Sequence, residues 1–318
     1  MSTNQPKSRL PFLEDFLLHI QANNYSKETL YNYERDLETF ERFLSQEMDD
    51  IPFSDITKRT IEQFKAYLNS RDRRTAKGAA AQKELQSGSI NRTLTSLRRF
   101  LSYLIDMDTV TPIAPEAIKL LRMEKKHPQV SELAELTRLI EAPMKFEKNK
   151  MVALRNRAAL EMLFASGMRI SELISIKRTQ IDRTGRIFIL GKGKKQRFVY
   201  LTERAKGHID NYIKERADDS PFLFIPKRGS NARDTSKHIS PNYLQMKIKK
   251  YRELLGINVP TSAHSLRHGF ATYLAEQGAN PAAIQILLGH ESLETTTRYV
   301  HASDKYAEST HKKFHPLK

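Results

Sequence analysis

Early in the chain the apolar residues are spaced for helices. Between positions 26 and 46, Leu30, Tyr33, Leu37, Phe40 and Leu44 recur at alternating steps of three and four. At about 100° per residue this puts all five on one side of a single helix. Ser26 stands just ahead of the run, where a hydroxyl caps the first free N–H groups. A shorter amphipathic helix is expected around Phe12 to Ile20, and a third carries Ile61, Phe64 and Leu68 on one side. A fourth, with Ser89 as its expected cap, repeats the pattern with Ile90, Leu94, Leu97, Leu101 and Leu104. Four narrow apolar stripes are buried most simply against one another, which predicts a small all-α bundle.

The opposite face of the fourth helix carries Asn91, Arg92, Thr95, Arg98 and Arg99. Before it lies RDRRTAKGAAAQKELQSG, which reads as an exposed basic connection. A solvated loop is the plain reading of that stretch alone. Beside a basic helix face it becomes a candidate for contact with the DNA backbone, and the five helix residues become candidate DNA-binding residues.

The segment TVTPIAPEAIKLLRMEKKHPQV brings three prolines, Pro112, Pro115 and Pro128, and a basic cluster at 122–126. That composition suits an inter-domain linker, so the expected domains are residues 1–126 and 127–318. Ser131 is the expected cap of the helix that follows. The second part mixes element types. A long apolar helix around Met151 to Ala165 stops at Gly167, and ISELISI starts another at once. RIFILGKGKKQRFVYL has two β-rich runs around a glycine-lysine turn and reads as a hairpin. Helices then resume, punctuated by Gly278, Asn280-Pro281 and Gly289. The expectation is a mixed α+β, mainly helical domain with a small antiparallel sheet.

Charge narrows the partners. With 53 Lys and Arg against 37 Asp and Glu, the chain carries +16 and a pI near 9.8, which predicts attraction to a polyanion. No apolar run reaches the roughly 18 residues of a membrane span, and the N-terminus lacks a signal-peptide core. A cytoplasmic protein without a membrane partner is expected. The absence of cysteine excludes disulfides, thiolate metal sites and cysteine nucleophiles. There is no GxxxxGK[ST] loop, so phosphate, if handled here, falls to side chains.

The stretch TSAHSLRHGFA places His264, Arg267 and His268 within two turns, and residues at i, i+3 and i+4 share a helix face. Three potentially cationic groups so close repel one another unless an anion lies between them. Two rivals stand beside that reading: each histidine singly is an ordinary helix residue, and His264 with His268 has the spacing of zinc-binding helices. The zincin pattern needs Glu after the first His, where Ser265 stands, and a guanidinium is poor company for a dication. Further on, LLGHESLETTTRYVHAS sets His290 after a helix-ending Gly289, and Tyr299 on a short helix that Ser292 can cap. A tyrosine hydroxyl, with a pKa near 10, is a weak nucleophile unless cations stabilise its phenolate.

Together and in this order, ASGMRISEL, GKGKKQRFVYL, HSLRHGFATYL, LLGH and TTTRYVH resemble the tyrosine recombinase (phage integrase) family, and within it most resemble the Xer recombinases. The likeness reaches SGSINRTLTSLRRFLSYLI in the first domain and KFHPLK at the end. It implies a SAM-like helical core-binding domain and a catalytic domain that together clamp double-stranded DNA. It implies roles too: Arg169 and Arg267 as the two catalytic arginines, His264 as acceptor of the tyrosine proton and His290 as a phosphate contact. Tyr299 is implied as the nucleophile that forms a 3′-phosphotyrosyl bond. Lys192 matches the hairpin lysine that protonates the leaving oxygen, with Lys194 and Lys195 as alternatives. His268 is expected to pack or hydrogen-bond, and Glu172 to help hold Arg169. No cofactor, metal or ATP is implied. Two departures stand out: the connection at 71–88 is long, and Tyr200 stands where proline is usual.

The implied assembly is a homotetramer on two recombination sites, or a heterotetramer with a second recombinase, with a DNA translocase as a candidate activator. Chromosome dimer resolution and mobile-element integration or excision fit the sequence equally. The alternatives are a relaxing topoisomerase or resolvase using the same chemistry, and an architectural DNA-binding protein without chemistry.

Overall fold

A computed structural model describes residues 10–70, 84–123, 131–191, 196–229 and 234–289. The chain divides into two compact units, Met1–Lys126 and His127–Lys318, each with its own buried core.

The first unit is all helical among its described residues, with α1 at Leu13–Ala22, α2 at Lys27–Glu47, α3 at Lys58–Asn69 and α4 at Ser87–Asp106. The periodic residues meet as their spacing predicts: Leu37, Phe40 and Leu44 of α2 join Ile61, Phe64 and Leu68 of α3 and the whole stripe of α4 in one core. Ser26 caps α2, its Oγ accepting from the Thr29 N–H at 3.1 Å. Ser89 does not cap α4. The helix begins two residues earlier, after Gln86, whose carbonyl already accepts from the Ser89 N–H at 2.8 Å, so Ser89 lies inside the first turn. A buried carboxylate, Asp36, ties α2 to α4 by accepting from Ser96 Oγ at 2.9 Å and pairing with Arg92 at 2.9 Å. Burial raises its pKa above the usual value, although Ser96, Arg92, Arg35 and Thr93 oppose the shift.

After α4 the chain folds back along it. Asn91 donates to the Leu121 carbonyl at 2.9 Å and accepts from the Leu121 N–H at 2.7 Å, while Arg98 donates to the Ile118 carbonyl at 2.7 Å. Asn91, expected on an outward basic face, is thus buried beneath the following segment.

The second unit runs α5 (Leu133–Phe146), α6 (Lys150–Ser166), α7 (Ile170–Ile174), β1 (Arg186–Leu190), β2 (Gln196–Tyr200), α8 (Glu203–Lys214), α9 (Pro241–Leu254), α10 (Ala263–Glu276) and α11 (Pro281–Leu288). Ser131 is not the cap of α5, which starts after Glu132; its hydroxyl is buried against Thr261 Oγ1 at 2.9 Å, a tertiary bond that outcompetes the local one. Helix α6 is buried on every side because α5, α8 and α10 all pack on it. The hairpin is antiparallel, in a register that sets Arg186 opposite Tyr200 and Leu190 opposite Gln196. Ile187, Ile189 and Val199 face the core, and Arg197 shares that buried side. Among the described residues no helix is long and apolar enough to cross a membrane.

Candidate active site

The site is assembled where α6 ends. Gly167 closes α6 in the left-handed region, at φ +61°. A side chain there would also put its Cβ 2.3 Å from the Phe270 ring of α10. Glycine therefore lets α10 dock against the end of α6. The turn continues through buried Met168 to Arg169, the residue before α7. Glu172 reaches back to accept from the Arg169 backbone N–H at 2.7 Å and holds its guanidinium at 3.1 Å. A sequence interval of three residues thus both caps α7 and aims the arginine. The side chain of Arg169 keeps 36% of its exposure, so it is held without being sealed off.

Helix α10 supplies the second cation. Ser262 caps it and pairs reciprocally with Ser265. Arg267 is buried, and its two terminal nitrogens donate to the Gly167 carbonyl at 2.7 Å and the Leu288 carbonyl at 2.6 Å. His264, one turn earlier, lies exposed at the surface. The protein crowded around its ring lowers its pKa below the ordinary 6.5, and the charges of Arg267, His268 and Arg169 lower it further. Arg169, Arg267 and His264 therefore belong to one electrostatic cluster, although they come from two segments about 100 residues apart in sequence. His268 turns aside: its Nδ1 lies 3.1 Å from Thr272 Oγ1 on the same helix, and burial lowers its pKa.

A third arginine enters from the hairpin. Arg197 sits on β2 with 8% exposure and grips Glu172 with two nearly parallel bonds, Nη1 to Oε1 at 2.9 Å and Nη2 to Oε2 at 2.7 Å. Its Nε donates to the Leu287 carbonyl at 2.9 Å. Burial alone pushes the Glu172 carboxyl up, but the Arg197 fork, the Arg169 N–H and the two guanidinium charges outweigh it, and its pKa lies below the usual carboxylate value. Three successive carbonyls at the end of α11 thus each receive a different arginine: Leu287 from Arg197, Leu288 from Arg267, and Gly289 from Arg169 at 3.4 Å. A helix C-terminus leaves such carbonyls unpaired and partly negative, and guanidiniums satisfy both deficits.

Of the residues read from sequence, Arg169, His264 and Arg267 come together here, with Glu172 beside them. Lys192, its alternatives Lys194 and Lys195, His290 and Tyr299 lie outside the described residues. In the first unit, Thr95 is exposed on α4, Arg99 is half-buried, and Arg92 is shared between Asp36 and Asn32. Sequence reading missed Arg197. Its partner is 25 residues away and its neighbours are turn lysines, so no periodic signal marks it; the inward place it takes on a strand of alternating burial is the only hint. Among the described residues no three His, Asp or Glu side chains are grouped to hold a metal ion.

Comparison with known proteins gives a consistent set of likenesses. Residues 132–306 match the family model of the Phage integrase family, and residues 10–112 that of the Phage integrase SAM-like domain. The chain is 32% identical to "Tyrosine recombinase XerC" of Pelobacter propionicus over 95% of its own length and 94% of that protein's. It is 29% identical to "Tyrosine recombinase XerD" of Shewanella oneidensis, over 96% and 97% of the two chains. Among solved structures, the fold is similar to the XerH site-specific recombinase bound to a palindromic difH substrate, at a TM-score of 0.68 and 22% identity, covering 94% of this chain and 82% of that one. A lambda integrase dimer bound to a COC′ core site is similar at a TM-score of 0.68 and 16% identity, covering 91% and 76%.

Proposed function

The chain belongs to the phage integrase family, the tyrosine recombinases that cut and rejoin DNA strands, and from that premise we propose that Tyr299 is its nucleophile and that Arg169, Lys192, His264, Arg267 and His290 complete its active site. The observation that carries this reading is the convergence of Arg169 and Arg267 on the carbonyls at the end of α11, with His264 near enough to both guanidiniums for their charges to lower its pKa. In sequence that helix leads directly to His290 and Tyr299.

Each role follows from charge and proton balance. Arg169 and Arg267 face the non-bridging oxygens of the scissile phosphate and stabilise the charge that builds on them in the transition state. His264, neutral at neutral pH, accepts the tyrosine proton as the phenolate oxygen attacks phosphorus. The bond from phosphorus to the 5′ oxygen breaks, and Lys192 delivers a proton to that oxygen. The products are a 3′-phosphotyrosyl protein and a free 5′-hydroxyl. One phosphate ester replaces another, so a 5′-hydroxyl from a second strand reverses the step without ATP.

In the first unit, Arg92, Thr95, Arg98 and Arg99, on a helix braced by Asn91, contact the DNA backbone of the recombination site. The chain acts as a homotetramer on two sites or with a second recombinase, and the DNA-bound Xer and integrase relatives support assembly on DNA. A DNA translocase is a candidate activator. The deciding experiment incubates the protein in chelator with a nicked suicide substrate carrying a candidate site, then denatures it and maps any protein-DNA adduct. Adduct at Tyr299 is expected, and Tyr299→Phe is expected to abolish it while DNA binding stays nearly intact. Undiminished cleavage by Tyr299→Phe refutes the assignment; binding without any adduct favours a missing partner or the architectural reading.

A further inference from the structure

We propose that Arg197 is a positioning residue for strand cleavage: it clamps Glu172 so that the Arg169 guanidinium is held toward the phosphate, and it pins the end of α11 in the same grip. This rests on the assignment of Arg169 to the active site.

Four observations point the same way. First, Glu172 is the only carboxylate bonded to Arg169 among the described residues, and both its oxygens are also held by Arg197, at 2.9 and 2.7 Å. With one oxygen facing Arg169 Nη1 and the other its backbone N–H, any rotation of the carboxylate would break the aim of Arg169. A bidentate fork opposes that rotation, and a point charge does so much less. Second, Arg197 and Glu172 are both buried while Arg169 remains over a third exposed. The pair is thus enclosed by protein, and within this trio Arg169 is the member with a face left open. Third, the Nε of Arg197 takes the Leu287 carbonyl, next to the carbonyls taken by Arg267 and Arg169. One side chain therefore fixes the hairpin, α7 and α11 relative to each other. Fourth, Gly289 makes room for it: a Cβ there would lie 3.0 Å from Arg197 Cδ and 3.2 Å from its Nη1.

Charge follows from the same geometry. One carboxylate serves two guanidiniums, so the cluster of Arg169, Arg197 and Glu172 keeps a net positive charge. Arg169 is therefore oriented without being neutralised, which a site for a phosphodiester requires.

The test measures single-turnover formation of the Tyr299 adduct by the full chain on the nicked substrate. Arg197→Met, which keeps the stem and loses the fork, is expected to slow the reaction by about tenfold or more, the scale of a misaimed catalytic group, with site binding changed less than about twofold. Arg197→Lys is expected to recover part of the rate, because an ammonium cannot hold both oxygens. Combining Arg197→Met with Glu172→Gln should lose less than the product of the two single losses, since both act on Arg169 through one carboxylate. A substrate whose leaving 5′ oxygen is sulfur needs no proton from an acid, and it should leave the Arg197→Met defect in place. Four results overturn the proposal: a wild-type rate in Arg197→Met, multiplying losses in the double variant, restoration by the sulfur substrate, or losses that track a lowered melting temperature and vanish on cooling. Should Arg197→Met not fold, the lysine variant decides, and its full activity overturns the proposal. Failure of the wild-type chain to form the Tyr299 adduct overturns the assignment beneath it instead, and is read before any variant.

Discussion

Glu172 and His264 both have lowered pKa values, the first because its arginine partners outweigh burial and the second because burial and like charge act together, and the consequences differ. Glu172 is paired with two guanidiniums, so its carboxyl lies below the usual 4.5. The unfolded chain binds that proton more readily, and the stability the pair contributes is present above the ordinary value and lost as pH falls through the lower folded one. His264 is lowered by crowding and by like charge. Its unfolded form is also the better proton acceptor, so folding is weakened as pH drops from the ordinary imidazole value through the folded one. For the reaction the neutral form of His264 is the competent one. The acid limb of adduct formation should therefore be centred below the ordinary imidazole value of 6.5, and His264→Gln should be slow at every pH with that limb removed. An acid limb centred above 6.5, or one that survives His264→Gln, would show that another group controls it. Arg197, His264 and Glu172 illustrate how far single residues were legible. Motif spacing marked Arg169 and Arg267, two of the groups that touch substrate in the proposed reaction, because that chemistry dictates residue type. The brace behind them is set by a contact between distant segments, and such contacts leave no periodic trace.

Among the elements, the helices of the first unit were readable because a bundle imposes its period on the sequence, and the ends of α6 and α11 because glycine at φ +61° and +63° has few substitutes. The starts were harder. Ser89 and Ser131 both have the chemistry of a cap, but the chain places one inside a turn and spends the other on Thr261. Likewise, a helical wheel for α4 shows an outward polar face, yet residues 118–121 return over it and take Asn91 and Arg98. Gly167 permits a quantitative prediction. Alanine there incurs about 1–2 kcal/mol for the left-handed backbone and, with its Cβ 2.3 Å from the Phe270 ring, about 1–3 kcal/mol more for overpacking. Gly278 is the control, at φ +82° with nothing within 4 Å of an added Cβ. In denaturant unfolding, Gly167→Ala should lose more stability than Gly278→Ala, and it should also slow cleavage, because the carbonyl of Gly167 holds Arg267. Equal losses in the two variants would mean that α10 shifts to accommodate the methyl group and that the close approach of Phe270 is not needed.

At the scale of the whole molecule, charge is divided unevenly between two self-contained cores. Residues 1–126 hold 20 Lys and Arg against 18 Asp and Glu, whereas residues 127–318 hold 33 against 19, so nearly all of the +16 belongs to the second unit. Each unit buries its own apolar residues, from Leu10 to Ile118 in the first and from Leu136 to Leu266 in the second, so each has the core that independent folding requires. Counterion release makes the salt dependence of DNA affinity a count of neutralised phosphates, with a log–log slope of about −0.9 for each one. The two fragments, 1–126 and 127–318, should each melt cooperatively, and the second should account for more than half of the slope measured for the full chain on double-stranded DNA. The first, close to electrical balance, should bind more weakly and with a shallower slope, using its α4 arginines as a few local contacts. A steep slope from the first fragment would place the main electrostatic footprint on α4 and the basic connection before it. The catalytic unit would then depend on its neighbour for capture of DNA, and Arg98→Ala or Arg99→Ala in the full chain should reduce the slope by about one unit each.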